Sequence, residues 1–451
     1  MEKEELFETV ASLLVNGDYA NLRKALVELE PFDLAEICEE LNESHLPLVF
    51  RLIPKDLAAE CFANMSSDLQ ELLIRRMSDA ELKAMLDELF VDDTVDIIEE
   101  MPANVAARML ANSDPETRQQ INEILNYPKD SAGSIMTTEY VRLNKNMSVA
   151  DAFARIRRVG YEKETIYTCY VTESDRTLVG VVTAMDLMLA ETDTLISDLM
   201  ETNVISVRTD DDREEAVIKF SDYGFLALPV IDGGNRLVGI VTVDDAIDVA
   251  LEEATEDVEK MAAITPSDKP YLKVGVFETW KSRIPWLMIL MISATFTSAI
   301  MSSYESVLSN RVILSFFIPM LMGTAGNAGG QTSVTIIRAL SLGDVETGDV
   351  LRILWKEVRV SLLCGISLAI VCFGKAIWLD GADSTEALVV SLTIAMAVVV
   401  AKLVGACFPV LIKKIGFDPA VVASPFITTV VDALALVVYF AVATAVIPGL
   451  Q

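Results

Sequence analysis

The chain is poor in the residues that carry redox and transition-metal chemistry. Its 451 residues include one histidine, His45, and six scattered cysteines: Cys38, Cys61, Cys169, Cys364, Cys372 and Cys407. No Cys-x-x-Cys pair occurs and no histidine stands at ligand spacing, which excludes the usual zinc frameworks. The cysteines are expected to be reduced thiols, in keeping with a cytosolic soluble half, and His45 is expected near a helix start. Basic residues are also scarce: 36 Lys and Arg face 67 Asp and Glu, a net charge of −31. Such a chain repels nucleic acid and anionic lipid headgroups. No nucleophile–base set, phosphate loop or metal-hydrolase spacing is found, so no enzyme is expected. The opening Met1-Glu2-Lys3-Glu4-Glu5 has no apolar run of the signal-peptide kind, so the acidic half is expected on the cytoplasmic side.

What is present is unevenly spread. Mean hydropathy is +0.40, and the apolar excess begins near residue 281. From there on, 11 basic and 10 acidic residues nearly cancel, so the first 280 residues carry −32. A very acidic soluble half is joined to a near-neutral membrane half. Such acidity suits either an ordinary solvated surface or a domain relieved by bound cations.

Residues 1–130 read as an all-helical domain, a stack of short helices punctuated by Pro31, Pro47, Pro54, Pro102 and Pro115. Phe32-Asp33-Leu34-Ala35-Glu36-Ile37 resembles Asp92-Asp93-Thr94-Val95-Asp96-Ile97, which suggests a small superhelix of repeats. Asp92, Asp93 and Asp96 lie at one helix start, as dipole partners or as a cation contact.

A linker, 127–134, leads into an internal repeat. Leu178-Val179-Gly180-Val181-Val182-Thr183-Ala184-Met185-Asp186 answers Leu237-Val238-Gly239-Ile240-Val241-Thr242-Val243-Asp244-Asp245, the glycines 59 residues apart. Each copy has a helical run (149–159; 213–223) and a β-rich stretch (166–171; 227–231). The pattern resembles a tandem pair of cystathionine-β-synthase (CBS) domains, with α/β copies over 131–199 and 200–255. In such pairs the Gly-x-x-Thr-x-x-Asp pattern holds a ribose, which here implies Thr183 and Asp186, or Thr242 and Asp245, with ATP or another adenosine nucleotide as ligand. Helix capping is the alternative use of these residues.

Residues 244–263 read as one acidic helix, with Asp245, Asp248 and Glu252 on one face and Glu253 and Asp257 on another. Like charges at these spacings repel unless solvated or bridged. Pro266 and Pro270 are expected to end the stretch, and 256–280 is assigned as the connecting helix to the membrane half.

Five spans are expected at about 284–303, 308–340, 358–378, 387–411 and 421–447, within a transmembrane domain of residues 281–451. Lys281, Arg283, Arg338, Arg352, Lys356, Arg359, Lys413 and Lys414 flank one side, so the N-terminus is expected in the cytoplasm and the C-terminus outside. The second span holds Gly323-Thr324-Ala325-Gly326-Asn327-Ala328-Gly329-Gly330-Gln331-Thr332, read either as close helix packing or as exposed backbone carbonyls. The last holds Thr428 and Asp432, a carboxylate costing ~3 kcal/mol at membrane depth. It marks an ion path or a structural contact between helices. Asn327, Gln331, Thr428 and Asp432 are hard oxygen donors suited to Mg2+ or Ca2+. Lys402 and Asp432 are the two charges read as lying inside spans, and Lys402 is read either as pairing with Asp432 or as fixing another helix contact.

The order of domains, with Gly326-Asn327-Ala328-Gly329-Gly330-Gln331-Thr332, Asp418-Pro419-Ala420 and Pro425 through Asp432, resembles the MgtE family of magnesium channels. The resemblance implies a multi-pass plasma-membrane homodimer with the path between subunits. It implies hydrated Mg2+ at Asp432, and closure by cytosolic Mg2+ at Asp92, Asp93, Asp96, Asp212, Glu214, Asp245, Asp248, Glu253, Glu256 and Asp257. Rival readings are a CBS-regulated transporter of another ion or solute and a membrane-anchored sensor that transports nothing.

Overall fold

Ten short helices fill the N-terminal stretch among the described residues: α1 (Lys3–Asn16), α2 (Tyr19–Val27), α3 (Pro31–Glu40), α4 (Leu46–Leu52), α5 (Lys55–Ala63), α6 (Ser67–Arg76), α7 (Asp79–Leu86), α8 (Val91–Glu100), α9 (Ala103–Asn112) and α10 (Pro115–Ile124). The computed structural model describes residues 3–267, 271–272, 274–422 and 424–447. Met1, Glu2 and Pro270 of the sequence reading therefore lie outside the described residues. Each proline named above stands at a helix start, where a missing N–H costs nothing. His45 is the N-cap residue of α4. Helices pack on the second one along (α3 on α5, α5 on α7, α7 on α9, α8 on α10), the signature of a stacked helical array.

The two repeat copies fold alike. The first has β1 (Tyr140–Leu143), α11 (Val149–Val159), β2 (Thr165–Thr172), β3 (Leu178–Thr183) and α12 (Ala184–Leu189). After α13 (Ile196–Leu199), the second has β4 (Val207–Arg208), α14 (Arg213–Tyr223), β5 (Ala227–Ile231), β6 (Leu237–Thr242) and α15 (Val243–Met261). In each sheet the middle strand pairs parallel with the first and antiparallel with the third. The paired glycines have a structural cause. A Cβ on Gly180 would lie 2.7 Å from the Met200 sulfur, and one on Gly239 2.5 Å from the Met136 sulfur. Each copy's lead-in thus crosses the other copy's last strand, with Thr137 and Ile240, and Glu201 and Val181, exchanging backbone hydrogen bonds. One apolar core runs from the N-terminal helices to Phe220, Val230, Val241 and Ala246 of the second copy.

The chain divides into two units, residues 1–250 and 251–451, within α15. That acidic helix ends at Met261, short of Pro266. Ala263 enters the left-handed region (φ 56°), and the Ile264 N–H closes on the Glu259 carbonyl. Segment 256–280 is therefore not one helix. The second unit continues with α16 (Val276–Ser303), short α17 (Glu305–Asn310), α18 (Ile313–Ser341), α19 (Val350–Trp378), α20 (Ser384–Lys414) and α21 (Ser424–Val446). Among the described residues, four helices are long and apolar enough to cross a membrane by themselves: Val276–Ser303, Thr347–Trp378, Ser384–Lys414 and Pro425–Val446. The fifth expected span, α18, is 29 residues long but is diluted by small and oxygen-bearing residues. It stays helical through all its glycines, so the broken-backbone alternative is set aside. The helix is packed among α20 and α21, with α19 on α20 and α16 on α21.

Candidate ion path and acidic cluster

Asp432 is placed by the glycines of α18. A Cβ on Gly326 would come within 2.9 Å of Thr428 Cγ2 and 3.4 Å of Asp432 Oδ1. Without that Cβ, the carboxylate of α21 approaches the α18 backbone. Asp432 Oδ1 is buried and accepts no hydrogen bond among the described residues. Thr428 is half-buried one turn earlier. Asn327 and Gln331 turn the other way. Both are exposed and, four residues apart, share a face of α18 with Gly323, Thr335 and Arg338, also exposed. The four expected path residues thus split between a buried seam and an adjoining polar stripe. Polar groups facing hydrocarbon are costly, so such a stripe needs water or protein over it.

Lys402 does not serve Asp432. The residue is 7% exposed, and its ammonium donates to Thr332 Oγ1 at 3.1 Å and lies 3.7 Å from Glu357 Oε2. Thr332 donates in turn to Glu357 at 3.1 Å. Asp432 and Lys402 are therefore not the only charges inside this unit. Sequence reasoning missed Glu357 because Lys356 and Arg359 bracket it at an expected loop, whereas α19 begins seven residues earlier. It also missed Glu386, buried at 5% and paired to Arg311 at 3.1 Å.

In the first unit, α8, the first repeat copy and the start of α15 bring carboxylates together. Burial pushes the Asp92 carboxyl well above the usual range, and the charges of Asp245, Asp93, Glu164 and Glu139 push it further. Burial, then Glu139, Asp244 and Glu60, raise Asp93 to about 6. Burial chiefly, with Asp244 and Asp93, holds Asp245 at about 6 against a hydrogen bond from Thr242. Glu164 reaches about 8, from burial and then Asp244, Asp93 and Asp245. Asp92 Oδ1 and Glu164 Oε2 are buried without a hydrogen-bond partner. No three acidic side chains converge closely enough to hold a bare ion among the described residues. The arrangement suits a cation that keeps its waters. Glu139 lies alone and Glu164 follows Lys163, so only the fold could add them.

The other expected acids lie elsewhere. Asp96 is exposed farther along α8, and Asp248 is exposed on α15, its pKa raised by burial and by Asp244. Asp212 caps α14, accepting from the Glu214 N–H at 2.9 Å, and Glu214 sits in that first turn. In the second unit Glu253 is half-buried. Glu256 pairs with Lys260 at 2.7 Å, and Lys260 also reaches Asp418 at 2.8 Å. Asp257 accepts from Ser341 at 3.4 Å, its pKa raised by burial and then by Asp418. Met261 packs on Ile337 and Ala420. The end of the acidic helix is thus tied to the loop before α21.

Thr183 and Asp186 form a reciprocal cap on α12, and Thr242 donates to Asp245 at 2.5 Å. The capping alternative accounts for both pairs as they stand.

Family profiles match in the same order: "MgtE intracellular N domain" over 29–130, "CBS domain" over 132–193 and 196–252, and "Divalent cation transporter" over 318–442. They define a multi-pass transporter class with an intracellular helical domain and a CBS pair, and it is not a class of enzymes. The chain is 37% identical over 444 residues to the magnesium transporter MgtE of Thermus thermophilus, covering 98% of each. It is 32% identical over 458 residues to that of Bacillus subtilis, covering 100% of this chain and 99% of that one. The chain belongs to the MgtE family of magnesium transporters. A solved cytosolic domain of the Mg2+ channel MgtE in complex with ATP aligns at a TM-score of 0.52 and 36% identity, covering 54% of this chain and 99% of that one.

Proposed function

We propose that this chain admits Mg2+ selectively across the plasma membrane and is closed by cytosolic Mg2+. The observation that carries the reading is Asp432: an unpartnered carboxylate oxygen beside Gly326, next to an exposed stripe bearing Asn327 and Gln331. A second copy of the chain would cover that stripe, so the path lies between subunits of a homodimer. Asp432 and Thr428 supply the anionic and hydroxyl oxygens, and Asn327 and Gln331 supply amide oxygens. Mg2+ sheds water reluctantly, and such a set can read it through its hydration shell. The N-terminal domains are cytoplasmic and the C-terminus external.

Closure rests on like charges. Asp92, Asp93 and Asp245, with Glu139 and Glu164, oppose one another in the compact first unit, and Mg2+ relieves that opposition. Asp96, Asp212, Glu214, Asp248, Glu253, Glu256 and Asp257 extend the acidic surface that it serves. Because Mg2+ favours the compact state, it shifts the equilibrium toward closure. A nucleotide site at Thr183 and Asp186, or Thr242 and Asp245, is the secondary reading, supported by the ATP complex of the related cytosolic domain.

The test is Mg2+ entry into proteoliposomes with Mg2+ varied on the cytosolic side. Entry that needs Asp432, lost in Asp432→Ala, and that falls as cytosolic-side Mg2+ rises supports path and sensor together. No entry by a folded, dimeric wild-type chain overturns the reading in favour of another solute or a sensor.

A further inference from the structure

We infer that Lys402, Thr332 and Glu357 form a positioning clamp that fixes the rotation of α18, and with it the direction of the Asn327–Gln331 stripe. The inference rests on the proposed path and adds residues outside it.

The three side chains come from three helices: Thr332 from α18, Glu357 from α19 and Lys402 from α20. Thr332 is the middle member. Its hydroxyl accepts from Lys402 and donates to Glu357, both at 3.1 Å, while the two charges stand 3.7 Å apart. Thr332 is 3% and Lys402 7% exposed. A buried ion pair is rarely retained for stability alone, since apolar residues of similar volume do as well. Its best-attested use is to fix one register among several.

The site is placed for that use. Thr332 follows Gln331 directly, so the two side chains point about 100° apart on the helix. Thr332 is buried and Gln331 exposed. Holding the first therefore aims the second. One turn earlier, α18 and α20 meet backbone to backbone: a Cβ on Gly405 would overlap the Gly329 carbonyl oxygen, and one on Gly329 would lie 3.2 Å from the Ala401 carbonyl. Small residues let the helices touch but do not resist sliding or rotation, because they offer no directional bond. The clamp supplies that bond. It is also neutral as a set, so Asp432 keeps an uncompensated charge.

The test uses the full chain in proteoliposomes. Thr332→Val keeps the shape and removes both hydrogen bonds. It is expected to raise the half-saturating Mg2+ by about tenfold, with the maximal rate changed far less, and Thr332→Ser is expected to restore it. A second readout does not need transport: reaction of Gln331→Cys with an impermeant thiol reagent, above the wild-type background, is expected to change severalfold when Thr332→Val is added. Should Thr332→Val fail to assemble, Lys402→Met with Glu357→Met removes both bonds to Thr332 without stranding a charge and is expected to give the same two changes. An assembled variant of either kind with wild-type half-saturation and unchanged Gln331→Cys labelling overturns the clamp. Absence of entry in the wild type strikes instead at the transport reading, and the labelling result then decides the clamp alone.

Discussion

Replacing Asp245 by asparagine should stabilise the first unit when Mg2+ is absent and shrink the stabilisation that Mg2+ adds. Asp245 is half-buried and faces Asp244 and Asp93, and its pKa is raised from 3.8 to about 6. That is roughly two units, or about 3 kcal/mol against the ionised form as a ceiling. Solvent reaches part of the group, so we discount this to about 1–2 kcal/mol. Asparagine keeps the acceptor for the Thr242 hydroxyl, 2.5 Å away, and removes only the charge. At about pH 7.5 the full chain in detergent with chelator should melt about 2–8 °C higher than wild type. The further rise on adding Mg2+ should be smaller than in wild type, because one repulsion that the ion relieves is already gone. Limited proteolysis of the N-terminal half gives the same comparison without heating. A variant that melts no higher in chelator, while keeping the full Mg2+ increment, would refute the repulsion argument.

Acidity should act as Mg2+ does. Asp93 and Asp245 sit at about 6 and Glu164 at about 8 in the folded chain, against ordinary carboxylates at roughly 4. The folded state binds more protons between these values. The stability they give is therefore complete below pH ~4 and is lost as pH rises through 6 to 8. Melting in chelator should fall between about pH 4 and 8, and saturating Mg2+ should flatten that fall. Gly405→Ala should cost about 1–3 kcal/mol of assembly, read as a lower melting temperature in detergent, since its methyl meets the Gly329 carbonyl. Lys260→Gln removes the tie from α15 to Asp418. As a half-exposed pair it should shift the Mg2+ needed for closure by only about two- to fivefold, read as entry against cytosolic-side Mg2+.

Local pattern reached the elements whose cause is local. The prolines of the first domain mark helix starts because a proline ring fits there. The two Gly-x-x-Thr-x-x-Asp copies were visible because each ends a strand and caps a helix. The acidic helix was visible as a charge spacing, but its end was not. The chain leaves the helix through Ala263 at φ 56°, a conformation no composition rule assigns to alanine.

The candidate site divides along the same line. Asp432 announces itself because a carboxylate within an apolar run needs a reason, and that reason does not depend on its neighbours. Lys402 announced itself equally, yet its partner did not. Glu357 sits between Lys356 and Val358, two residues before the next basic group, Arg359. A hydropathy boundary drawn there leaves it outside the membrane. Only the length of α19 brings it inward to meet Thr332 and Lys402. Glu139 and Glu164 are the counterpart in the first unit, acids that acquire meaning when folding sets them against Asp93 and Asp244. In both units the charge that folding adds supplies a partner or an opponent to one that sequence exposes. Asp432 can be read as a cation's ligand because Glu357 has already answered Lys402. Asp245 can be read as a sensor because Asp92, Asp93, Asp244 and Glu164 oppose its charge.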